Sequence, residues 1–133
     1  MKDLAPAFGL LILRLASGGI LLFGHGWGKL LHFAERVSKF ANPIGVGSEL
    51  SFTLVVFAEV ACSALVVLGL FSRFACVPVV IFFLVAIFIQ HAADPFGDKE
   101  LAYVYLASFL ALLLTGPGKF SVDALISKRG AAR

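Results

Sequence analysis

The stretch Phe74–Ile89, FACVPVVIFFLVAIFI, holds sixteen residues without a single charge. A run of that length, with Arg73 before it and Gln90-His91 after it, reads as the centre of a membrane-crossing helix, which needs about 20 mostly apolar residues. Three further runs of the same character accompany it. The spans fall at about 6–31, 48–71, 73–91 and 99–115, with a tail over 119–133. The expected fold is all-α: a four-helix transmembrane bundle with antiparallel neighbours, occupying 1–133 as a single membrane domain.

Composition agrees with that reading. The apolar set reaches 60% and charged residues only 14%, against about 25% charged in a typical soluble domain. A chain of 133 residues buries only about two-thirds of its unfolded surface, so in water much Leu, Val and Phe would stay outside. An ordinary soluble monomer is excluded, and so is disorder, which needs low hydrophobicity and high charge. The net charge of +3 serves membrane orientation rather than nucleic-acid binding. Cys62 and Cys76 form no CxxC and suggest no disulfide framework. Arg14 interrupts the apolar run Phe8–Leu13, unlike the core of a cleavable signal, so 6–31 reads as one retained span.

Local signals set the ends. Pro6 suits a first helical turn. Ser48 is the expected N-cap of span 2, with Glu49 complementing the helix dipole. Pro78 should kink span 3 or mark its first turn. Asp98 is the expected N-cap of span 4, and Gly116-Pro117-Gly118 stops it. Between spans 1 and 2, Phe33, Val37, Phe40 and Ile44 recur near helical spacing, which fits either an interfacial helix or an ordered loop packed on the bundle. Counting Lys and Arg puts Lys2, Arg73, Lys119, Lys128, Arg129 and Arg133 on the side of the termini, and Lys29, Arg36, Lys39 and Lys99 opposite. That bias places both termini in the cytoplasm.

Ionisable groups inside a bilayer are costly and face a partner or a site. Arg14, His25 and Lys29 fall on one helical stripe, with Gly18 between them. Span 2 carries Glu59, with Cys62 and Ser63 on the same face. Counted from opposite helix ends at 1.5 Å per residue, Arg14 lies ~12 Å deep and Glu59 ~15 Å. The two are expected to pair near mid-membrane, either as a structural ion pair or with Glu59 handling a proton or ligand. His91, Asp94, Glu100 and Tyr103 should reach the same outer face as His25 and Lys29. Without an HxxxH or ExxH pair, that group reads as a polar cap or a small head-group site, not a metal centre. Gly24-His25-Gly26-Trp27-Gly28-Lys29 is no Walker A loop. Gly24 and Gly28 form a GxxxG pair expected to admit a close helix, and Trp27 an interface anchor.

These residues also carry a resemblance. Leu13-Arg14-Leu15 through Phe23-Gly24-His25-Gly26-Trp27-Gly28-Lys29-Leu30, Ala58-Glu59, Leu68-Gly69-Leu70-Phe71-Ser72-Arg73, Ala86-Ile87-Phe88 with His91, and Leu113 through Asp123 together resemble the DoxX family in order along the chain. The resemblance implies a small four-helix bacterial inner-membrane protein, similar to membrane subunits of quinone-linked thiosulfate oxidation. Arg14, His25, Gly28, Lys29, Glu59, His91 and Gly116–Lys119 fall in the family's recurring blocks.

The function expected is a membrane component of quinone-linked redox metabolism that binds a quinone or similar amphiphile within the bundle. The alternative is a non-enzymatic accessory or assembly subunit of a larger complex. Candidate ligand-site residues are Arg14, His25, Lys29, Glu59, His91, Glu100 and Tyr103. No resident cofactor is read from the residues alone; quinone is the candidate. Partners implied are membrane lipid, other membrane or redox proteins, or a second copy of the chain.

Overall fold

The computed structural model describes residues 4–131, and among these every regular element is helical. Lys2 and Arg133, which enter the charge comparison above, lie outside the described residues. The helices are α1 (Leu4–Leu31), α2 (Phe33–Arg36), α3 (Ser48–Leu68), α4 (Ser72–Gln90), α5 (Glu100–Thr115) and α6 (Val122–Ala131).

Three of them, α1, α3 and α4, are long and apolar enough to cross a membrane, with 28, 21 and 19 residues. At 1.5 Å per residue they measure about 42, 32 and 28 Å. The apolar helix α5 has 16 residues, so about 24 Å, short of a ~30 Å hydrocarbon core. The bundle thus holds three helices of spanning length and a shorter fourth.

Neighbours run antiparallel. Gly18 of α1 faces Ser63 and Val67 of α3, and Gly26 faces Glu59, so one helix ascends as the other descends. Phe83 of α4 stacks near Phe109 and Tyr105 of α5, while Phe88 meets Tyr103. The core between the helices is apolar, built on Leu21, Val66, Cys76, Val79, Phe109 and Leu112, each at most 1% exposed. Large side chains such as Phe74 and Leu114 point outward, 80% and 78% exposed, as a lipid-facing surface requires.

Each spanning helix contains one wider π-helical turn: Leu21–Gly26, Phe57–Cys62 and Ala86–Gln90. The first two lie against each other. Such turns insert a residue and re-aim the side chains around them, and they recur at functional sites.

Several expected boundaries shift. Ser48 is the first residue of α3 and its cap is Gly47, whose φ of 98° suits glycine. Asp98 sits in a short 3-10 turn, Phe96–Asp98, and Lys99 takes the cap position of α5. Span 2 ends at Leu68, because Gly69 turns left-handed and closes a Schellman motif: Leu70 N–H donates to Leu65 O at 2.9 Å and Gly69 N–H to Val66 O at 3.0 Å. The segment after α1 is helical only over Phe33–Arg36. Beyond it the chain forms turns whose Phe40, with Phe33, packs on Phe52 of α3. It is an ordered loop on the bundle, not an interfacial helix.

Candidate functional site

The polar seam of α1 divides into two separate sites. At the level of the α3 C-terminus stands Arg14, 2% exposed. Its Nε donates to Val66 O at 3.0 Å and its Nη2 to Val67 O at 2.9 Å. Its Nη1 donates to Pro117 O at 2.9 Å and to Phe120 O at 2.8 Å. The last carbonyls of a helix lack intrahelical partners and carry the negative end of its dipole, so a guanidinium satisfies both needs. Arg14 therefore ties α1, the end of α3 and the 116–121 turn into one junction.

The second site is one level further along α1. Lys29 Nζ donates to both oxygens of Glu59, at 2.8 and 2.7 Å. Glu59 is 2% exposed; its neighbours across the gap are Gly26, where a Cβ would come within 2.9 Å of the Glu59 backbone and side chain, and Lys29. The expected Arg14–Glu59 pair does not form. The depth count failed because α1 overshoots α3: Arg14 lies level with Val66 and Val67, not with Glu59. Those residues are about 11 Å of helix beyond Glu59. Lys29, one of the seam residues, takes the carboxylate instead.

His25 faces inward and lies edge-on to Tyr105 of α5, with ring centres 5.8 Å apart. The Tyr105 ring in turn stacks on Phe83. Tyr105 is 5% exposed and its hydroxyl has no hydrogen-bond partner among the described residues. Lys29 and Glu59, joined by their ion pair, and His25 with Tyr105 thus gather around the two facing π turns.

Beside it, between α3, α4 and the 37–47 loop, is a cavity of about 640 Å³. Its walls are apolar, with Phe40, Leu54, Phe57, Ile81 and Phe82 prominent. Its polar lining residues are Lys29, Lys39, Ser51, Gln90 and His91. Ser51 is 4% exposed and its hydroxyl, too, lacks a partner among the described residues. A buried hydroxyl without a partner is costly, and in a cavity wall it is a ready contact for a ligand. Along α4 the lining runs from Pro78 to Gln90, about 18 Å of helix. The volume lies within the ~300–1,000 Å³ of small-molecule sites.

The remaining candidates lie apart from this group. His91 lines the cavity mouth and its Nδ1 is 2.8 Å from Asp94 on the exposed turn. Tyr103 packs against Phe88 and Phe96. Glu100 is exposed at the start of α5. Reading the sequence missed Ser51 and Tyr105. Tyr105, Phe109 and Leu112 share a helical stripe, which marks Tyr105 rather than Tyr103 as the inward tyrosine. The expected GxxxG contact at Gly24 and Gly28 does not form. A Cβ on Gly28 would meet nothing within 4 Å and one on Gly24 only its own helix, whereas Gly18 and Gly26 are the close approaches.

The DoxX family model matches residues 9–92. The chain is 28% identical over 133 residues to "Inner membrane protein YqjF" of Escherichia coli, covering 97% of this chain and 99% of that one. It is 26% identical over 140 residues to an uncharacterized protein of Haemophilus influenzae, covering 96% of this chain and 89% of the other. Against an uncharacterized membrane protein of Mycobacterium tuberculosis the identity is 30% over 128 residues, covering 77% and 78%. No solved structure matches the chain.

Proposed function

The chain belongs to the DoxX family of membrane proteins, and from that premise we propose that it holds a quinone or similar amphiphile in the cavity between α3 and α4, as a component of quinone-linked redox metabolism. The observation that carries this reading is the Ser51 hydroxyl, without a partner among the described residues, in the wall of an otherwise apolar slot that Lys29 also lines. A quinone needs hydrogen-bond donors at its ring carbonyls and an apolar channel for its tail. Ser51, Gln90 and Lys29 supply the first, and the Leu54–Phe57–Ile81 wall the second. The Glu59 carboxylate holds the Lys29 side chain in place and keeps its charge compensated.

In this reading the protein is a multi-pass protein of the bacterial inner membrane, like the relative from Escherichia coli, with α5 as a fourth span and both termini in the cytoplasm. Reporter fusions at residue 42 and after residue 133 should report opposite sides, the second one cytoplasmic; reporters on one side would contradict four spans.

Ligand retention tests the site. Protein purified in mild detergent is extracted and its quinone quantified by mass spectrometry. Ser51→Ala removes an unpartnered hydroxyl, so stability should hold while retention falls about ten-fold, the equivalent of about 1.4 kcal/mol. Ala86→Phe, which fills the slot, should abolish retention. Wild-type protein with no quinone, or equal retention in both variants, would remove this reading.

A further inference from the structure

The end of the bundle opposite the cavity has its own cleft, of about 390 Å³, between the last turn of α3, the 119–121 segment and α6. We propose that this cleft binds the phosphate head group of an anionic phospholipid from the adjoining leaflet, with its acyl chains running down the outer face of α3.

Charge favours that occupant. Lys119 and Lys128 stand on the cleft walls, and no carboxylate lines it. The acidic residue of α6, Asp123, is turned elsewhere: its Oδ1 accepts from Phe71 N–H at 2.8 Å and its Oδ2 from Ser72 N–H at 3.1 Å. A carboxylate so occupied as the cap of α4 leaves the lysines unopposed in the cleft. Arg73 and Arg129 lie in the same end of the chain's fold and extend the positive field.

Shape and burial point the same way. Val122, Leu125 and Lys128 recur every three residues along α6 and turn one flank of it to the cleft, where Leu68 and Phe120 complete the apolar part of the wall. Leu125 and Ile126 remain 60% and 54% exposed, with nothing else in the described chain covering them. A short helix with an apolar flank and lysines at its rim, set at the end of a spanning helix, is suited to the head-group region. Basic pockets at that depth are suited to lipid phosphates. Water alone would leave the apolar flank exposed, and a free anion would leave it unused; a phospholipid meets both the ammonium groups and the flank.

The test uses full-length protein reconstituted in phosphatidylcholine vesicles containing about one-third phosphatidylglycerol, then extracted in mild detergent with the retained lipid quantified. Phosphatidylglycerol should be enriched over the vesicle composition. Lys119→Gln and Lys128→Gln should each cut the enrichment about five-fold. Arg36→Gln, at the other end of the bundle and exposed, should leave it unchanged. Lys119 and Lys128 are exposed, so both variants should keep the wild-type Tm, and Lys→Arg at either position should restore enrichment. Excess inorganic phosphate should not displace the lipid. No enrichment in wild type, enrichment unchanged in the double Gln variant, an equal loss in Arg36→Gln, or displacement by inorganic phosphate would each overturn the proposal.

Discussion

One ammonium straddles both acceptors of a buried carboxylate: Lys29 Nζ lies 2.8 and 2.7 Å from the two Glu59 oxygens, with Glu59 at 3% side-chain exposure and Lys29 at 24%. The unequal exposure defines the pair. Among the described residues Lys29 is the cation bonded to Glu59, and it also borders the cavity. A structure that buries a carboxylate this deeply needs its cation close by.

Breaking that pair from either side should be damaging. Lys29→Met leaves Glu59 charged and buried without a partner, a loss of about 3–5 kcal/mol. Glu59→Gln should be milder, since Lys29 can reach the cavity mouth. The double variant Lys29→Met with Glu59→Gln should recover much of the stability lost by Lys29→Met. Melting in detergent of the single and double variants measures the coupling; additive losses would show that the two side chains act separately.

Arg14 should not tolerate lysine. Four carbonyls, from Val66, Val67, Pro117 and Phe120, are served by three nitrogens of one planar group. An ammonium has three donors on a flexible stem and cannot span them. Arg14→Lys should lower stability by about 2 kcal/mol or more, because buried carbonyls are left unpaired. A Tm equal to wild type would show that water fills the junction without loss.

The glycines separate cleanly. Gly26→Ala places a methyl group 2.8 Å from the Glu59 backbone and should cost about 1–3 kcal/mol. Gly28→Ala meets open space and should be neutral, or stabilise the helix by up to about 1 kcal/mol. Parallel melting curves of the two variants decide the matter; equal effects would place both glycines on the same kind of surface.

Asp123 caps a helix that is distant in sequence. Its two oxygens take the Phe71 and Ser72 amides at the start of α4, where Phe71 is held at a φ of 48°. Asp123→Ala should remove about 1–2 kcal/mol, at the upper end for a cap, because a left-handed phenylalanine also loses its support. Asp123→Asn, which keeps the acceptor oxygen, should lose less. Hydrogen exchange at residues 71–75 would report the loss locally.

How far the sequence foretold this molecule depends on what kind of information each residue carries. The helices were legible because apolar runs and Gly or Pro stops are local. The stop at Gly116 and the inward stripe of Arg14, His25 and Lys29 follow from spacing alone. The partners of that stripe were not legible. Helix spacing fixes a side chain's direction but not the vertical offset between two helices, and α1 runs on past the end of α3, which lies level with Arg14. That offset gave Glu59 to Lys29 and left Arg14 with carbonyls, which no residue-type pattern announces. The close glycine contacts fall at Gly18, already on that stripe, and at Gly26, the last residue of the first π turn, and not at Gly24 and Gly28.

The Arg14 junction also divides the mechanical compliance of the bundle. At the end where it sits, a guanidinium, the Asp123 carboxylate and the Schellman turn at Gly69 fasten α1, α3, α4 and the 116–121 turn to one another. At the other end one ion pair, one loop and an open slot lie between the same helices. The molecule is therefore fastened at the Arg14 end and left with an open slot at the other. An amphiphile seated in that slot would pack against helices whose far ends are already held in place.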